Sequence, residues 1–179
     1  IFFLSAGYET DGLKDLNTSL TAGLSFYISD NLILGSNATI KNYQEWLIWD
    51  SEIERLTNYE ADLATLNLSA DWNPSDDHEL RVKFQWASVD AILSEVYQIN
   101  SNGLLEETSL LTSNFSFADT ALQIRYRYRM GPLSDAYLVY SRGGYYGSES
   151  GNEGAKNLLE YGWENIQVES LIFKVRLAF

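Results

Sequence analysis

Cysteine is absent from all 179 residues, which excludes disulfide scaffolds, thiolate metal sites and cysteine nucleophiles. Proline occurs only at Pro74 and Pro132, and histidine only at His78. A single histidine in a turn beside Asp76 and Asp77 reads as turn chemistry: a metal site there lacks its further ligands, and no catalytic group and no enzyme activity are expected. Cations are scarce too, with 12 Lys and Arg against 25 Asp and Glu, a formal net charge of −13. That balance argues against nucleic acid as a partner, because phosphate backbones reward basic surfaces. No apolar run approaches the ~20 residues of a transmembrane helix. Ile1-Phe2-Phe3-Leu4 shows neither a basic leader nor a cleavage site and reads as the middle of a strand. The expectation is a processed form or a fragment of something longer.

What the chain does have is aromatic and apolar weight. Hydrophobic residues make up 45% of it and aromatics 14%, enough to set aside a disordered acidic tail. Those residues alternate with small polar ones at period two, the pattern of half-buried strands. Leu20, Ala22, Leu24, Phe26 and Ile28 make one such series; Ala64, Leu66, Leu68, Ala70 and Trp72 make another. In ALQIRYRYRM (121–130), Leu122, Ile124, Tyr126, Tyr128 and Met130 oppose Gln123, Arg125, Arg127 and Arg129. Eight such strands are predicted, all antiparallel, in a single domain spanning 1–179. A helical spacing of Ile53, Leu56, Leu63 and Leu66 competes with the strand reading over 52–66.

The connections sharpen the picture. SDN (29–31), NPSDDH (73–78) and GPLSD (131–135) are short, while 43–58, 90–115 and 143–165 read as long, acidic loops. GGYYGSESGNEG (143–154) lacks the strand-then-helix context of a phosphate loop and reads as a flexible one. Tight turns at one rim and long loops at the other are the build of an up-and-down transmembrane barrel. A soluble barrel would bury the apolar parity and wet the arginines, whereas a membrane barrel inverts this. Three features favour inversion: long strands, aromatic residues near strand ends (Trp46, Trp49, Trp72, Tyr128, Tyr137, Phe179), and a second parity that is small and uncharged in the first four strands. The fold class expected is therefore all-β, an antiparallel up-and-down transmembrane β-barrel with eight strands visible, either complete or the C-terminal part of a larger barrel.

On that reading Lys41, Arg81, Lys83, Arg125, Arg127, Arg129, Arg142, Lys174 and Arg176 point inward as a basic lumen wall. Such a wall steers anions or docks an acidic plug; the competing reading is ordinary charged barrel lining, paired by loop acids such as Glu79 or Glu169 that reach in. Four Asn-x-Ser/Thr matches (Asn17, Asn37, Asn67, Asn114) read as lumen-lining or strand-rim polar residues.

The closing strand, with Phe173, Val175, Leu177 and Phe179 at alternate positions, resembles the C-terminal signal by which outer-membrane barrels are recognised for assembly, though it lacks the usual glycine and has Leu at the antepenultimate position. ELRVKFQW, LQIRYRYRMGPLSDAYLVYSRGG and LIFKVRLAF resemble the C-terminal barrel of a family of uncharacterised bacterial outer-membrane proteins that carry an N-terminal carbohydrate-binding-like domain, over about the last hundred residues. The resemblance implies the outer membrane of a Gram-negative bacterium with a periplasmic C-terminus. Outer-membrane lipid, lipopolysaccharide, the barrel assembly machinery and an acidic plug or N-terminal domain are the partners expected, with no cofactor. A porin-like pore, an anchor or a translocation module is the function expected; a closed barrel displaying loops for adhesion or binding and a soluble ligand-binding barrel are the rivals.

Overall fold

The computed structural model describes the chain except residues 11–15, 52–53, 109–111 and 179. Its order is β1 (Phe2–Glu9), β2 (Asn17–Ser29), β3 (Leu32–Asp50), β4 (Arg55–Ser75), β5 (His78–Ile99), β6 (Leu105–Glu107), β7 (Phe115–Gly131), β8 (Ser134–Ser148), α1 (Ala155–Glu164) and β9 (Ile166–Arg176). The eight long strands follow one another around a single antiparallel sheet, and β6 adds only a short pairing to β5. Each coincides with one of the alternating stretches. The sheet is open: among the described residues β1 and β9 do not pair.

The loop expectations are corrected. The segments 43–58 and 90–115 are largely strand, because β3, β4 and β5 run for 19, 21 and 22 residues, β3 ending at Asp50 and β4 beginning at Arg55. Over 55–66 the strand reading is the one found, not the helical spacing that competes with it, since β4 pairs along that stretch with both neighbours. Nor is 143–165 one flexible loop. Its first part completes β8 and its last part is α1, which packs on β7, β8 and β5.

The two faces differ, and they differ twice. From Trp72 to Ala64 along β4, one face carries Trp72, Ala70, Leu68, Leu66 and Ala64, continued by Leu80, Val82, Phe84 and Trp86 on β5 and by Leu122, Ile124 and Tyr126 on β7. The opposite face carries cross-strand ladders of small and polar residues: Thr21, Thr39, Thr65 and Ala87 in one row, Asn37, Asn67, Gln85 and Ala121 in another. Farther from the short turns the polarities exchange. The first face now holds Asn42, Asp62, Asp90 and Ser116 in one row, tied by Asn42 Nδ2 to Asp62 (2.8 Å) and Ser116 Oγ to Asp90 (2.8 Å). The second holds the only buried apolar cluster among the described residues: Tyr59, Ala61, Val89 and Ala91, with Tyr43, Trp46, Leu63, Phe115 and Phe117 around them.

That cluster also shows the curvature. Trp46 on β3 and Phe115 on β7 have ring centroids 6.1 Å apart, though three strand spacings separate them, about 14 Å in a flat sheet. The sheet curls toward them, so the face with the polar ladders and the aromatic cluster is concave. The apolar face is convex.

Candidate functional site

The concave face is basic near the short-turn rim. Register places Arg81, Lys83, Arg125, Arg127, Arg129, Lys174 and Arg176 there, with Lys41 higher up the wall. Arg142 does not join them. It pairs in register with Leu122 and Glu169 on the convex face. β8 is apolar on both parities (Tyr137 and Val139 against Leu138 and Tyr140), so alternation could not orient it. Arg142 instead stacks over the Trp163 ring of α1 at 3.9 Å and donates from Nη2 to the Trp163 carbonyl at 2.7 Å. Glu169, the second acid expected to reach inward, is also convex and accepts from Tyr140.

Glu79 is the hub of the wall. Its side chain is 7% exposed and meets Arg81 Nε at 2.6 Å, Arg127 Nη2 at 2.8 Å and Arg125 Nη2 at 3.5 Å. Asp71 adds a second contact to Arg81 at 3.2 Å, Asp135 pairs with Arg176, and Arg125 lies over the Tyr137 ring. β5 begins directly after the Asp76-Asp77 turn, which sets Glu79 opposite Arg127 across the β5–β7 ladder. Four of the seven cations thus share three carboxylates. Lys83, Arg129 and Lys174 are exposed and make no ion pair among the described residues. Their charge faces an uncovered concavity.

Above this rim the concave wall turns neutral and hydrogen-bonding. Gln85 Nε2 donates to Asn67, and the Thr21 and Thr39 hydroxyls meet at 3.0 Å. Asn37 and Asn67 sit in this ladder as expected. Asn17 and Asn114 do a different job: the buried Asn17 accepts from the Gln44 and Glu45 amides, and Asn114 accepts from the Leu93 amide and donates to the Ser150 carbonyl. Both stand in for backbone pairing where β3 and β5 depart from regular register.

On the convex face, Trp72, Tyr126 and Tyr128 cluster near the short turns, with His78 stacked on Tyr128 and hydrogen-bonded to Tyr126. Tyr8 lies near the level where polarity exchanges, while Trp86 stands beside Leu66 and Trp163 over Phe84, within the band. Two residues expected at strand-end girdles are elsewhere, Trp46 in the concave cluster and Tyr137 beneath Arg125. Of the expected assembly signal, Phe173 and Val175 project from the convex face of β9, Leu177 is exposed just beyond it, and Phe179 lies outside the described residues.

Sequence reading missed α1. Its Leu158 and Gly162, at helical spacing, are buried against the sheet, and that i,i+4 pair was the available signal. Thr120 Oγ1 donates to the Gly162 carbonyl at 2.9 Å, and a Cβ at Gly144 would lie 2.0 Å from the same oxygen. Backbone cannot yield as a side chain can. Gly144→Ala is therefore expected to lift α1 from the sheet, seen as faster amide exchange confined to 155–164 while β3–β5 stay protected.

Comparison of the chain with protein-family models, with curated proteins and with solved structures gives no match. Functional inference rests on the geometry alone.

Proposed function

We propose that this chain forms the wall of a bacterial outer-membrane β-barrel whose basic concave face lines a water-filled lumen, a pore or translocation path that favours anions. One observation carries the reading: the exchange of polarity along the same strands. From β3 to β7, where the convex face is apolar the concave face has no apolar core, and where the concave face packs a core the convex face is polar; on β8 and β9 the row of Leu122 continues into Arg142, held by Trp163 of α1, and Glu169. A wall leaving a bilayer has this form, with lipid outside the lower stretch and water outside the upper one. The apolar band along β4, Trp72 to Ala64, is about 26 Å of strand at ~3.3 Å per residue, and at a tilt of about 40° it spans about 20 Å, somewhat less than the ~25 Å band of such barrels. Aromatic side chains at both margins of the convex band suit its two interfaces.

Charge supports the same assignment. Seven cations on a dry interior would be very costly, so the concavity holds water or an acidic partner. Free strand edges are not sustained in hydrocarbon. On this reading β1 and β9 therefore close on each other or on further strands, and the short-turn rim with the C-terminal end of β9 faces the periplasm. Lipopolysaccharide and the assembly machinery follow as partners.

The test is conductance in planar bilayers. The native chain is expected to pass ions with a preference for chloride over potassium, and replacing Arg125, Arg127 and Arg129 with Gln should move the reversal potential toward zero. A closed barrel that only displays its outer rim would not conduct, and unchanged selectivity in the triple variant would remove the basic wall from the lumen.

A further inference from the structure

α1 does more than cover the sheet. Leu158 and Gly162 seat it over β7 and β8, while its opposite strip, Lys156, Leu159, Glu160 and Trp163, overhangs β5. Between that strip and Phe84 lies a hollow of about 440 Å³, within the ~300–1,000 Å³ range of small-molecule sites. Its base is Phe84, whose ring meets Trp163 at 6.0 Å, and Phe84 belongs to the convex apolar row that includes Leu68 and Leu122. The hollow therefore opens onto the band assigned above to lipid. Trp163 is fixed in place by Arg142. Lys156 and Glu160, one turn apart, form the polar part of its lining, and neither makes an ion pair among the described residues.

We infer that this hollow is a lipid site: it holds one acyl chain of an outer-membrane lipid against Phe84, Leu159 and Trp163, with the headgroup at the level of Lys156 and Glu160. The inference rests on the membrane reading, since it takes its occupant from the continuity of the hollow with the convex band. Apolar walls select the chain, and the two opposite charges of the lining suit a zwitterionic or phosphate-bearing headgroup whose cation and anion each meet a partner. Around the rest of the barrel lipid would exchange freely, whereas an acyl chain lodged between α1 and Phe84 would be retained.

The experiment uses the folded full chain in vesicles of phosphatidylcholine, with a rising fraction of the same lipid brominated on its acyl chains, and reads tryptophan quenching. The quenching lost in Trp163→Phe and in Trp72→Phe gives the share of each residue; Trp163→Tyr serves where the phenylalanine loosens α1. Trp72 samples freely exchanging lipid away from α1, near the short turns, so its quenching should follow the bulk brominated fraction. Trp163 is expected to remain unquenched, long after mixing, when unbrominated lipid was present at folding, and to be quenched at a several-fold lower bulk fraction when brominated lipid was present at folding. Leu159→Asp should return Trp163 to the Trp72 curve. If Trp163 follows that curve in the native chain, the site is refuted while the membrane reading stands. If neither tryptophan is quenched, the membrane reading fails and the site with it.

Discussion

Leu66→Arg is expected to cost about 2–4 kcal/mol of folding stability in lipid vesicles, as a cation at the bilayer midplane does on the outer face of a barrel. Thr65→Arg, one residue away, is expected to cost well under half of that. Leu66 sits on the convex face between Ala38 and Trp86, near the middle of the apolar band; Thr65 sits on the concave face between Thr39 and Ala87. Beyond the level where polarity exchanges the ranking should reverse. Ala91, 0% exposed in the concave cluster, has no room or partner for a guanidinium, so Ala91→Arg should be among the most damaging substitutions in the chain. Asp62→Arg, on the exposed convex face, loses one hydrogen bond from Asn42 and should be mild. Urea titrations read by the heat-modifiable folded band give all four values. A sheet whose convex face met water would show no large penalty at Leu66.

The second large effect belongs to Glu79. Glu79→Gln leaves Arg81, Arg125 and Arg127 gathered around a neutral amide. Removing one partner of a buried charge cluster costs several kcal/mol when every member is dry. Here the guanidinium-bearing side chains keep 27% to 49% of their surface accessible, so solvent screens the loss and about 2 kcal/mol is the expected cost. Arg127→Gln alone should cost less, because Glu79 retains Arg81 and Arg125. The double variant should recover part of the Glu79→Gln loss by removing a now unpaired cation, and a double-mutant cycle gives that coupling directly. Strict additivity would mean that the cluster does not act as a unit.

Why the strands were legible and their ends were not follows from the same exchange of polarity. Within the band one parity is apolar and the other small, so ALQIRYRYRM and LATLNLSADW announce their faces. Past Asp62 the apolar residues move to the other parity, and bulges between Tyr43 and Trp46 and at Asn58 and Tyr59 break the count. A period that reverses and slips reads as loop, which is how 43–58 and 90–115 were taken for connections. Eight of nine inward cations were legible from alternation. Arg142 was not, because β8 has no polar face to orient it. Glu79 as an inward acid was legible from its place beside the turn, whereas its contact with three arginines depends on the β5–β7 register. α1 hid behind glycines: Gly151 and Gly154, both at positive φ, turn the chain so that Asp90 accepts the amides of Asn152 and Gly154, and Gly162 provides the close approach to Gly144.

The absence of cysteine permits the most direct measurement. Single cysteines placed in turn at residues 58–72 of β4, in an otherwise native chain folded into lipid vesicles, are labelled with a lipid-soluble maleimide or with a water-soluble one. From 64 to 72, even positions are expected to react from lipid alone and odd positions from water alone; at 60 and 62 the even positions are expected to switch to the water-soluble reagent. Even positions that react from water along their whole length, with no switch near Asp62, would contradict a wall that crosses a membrane.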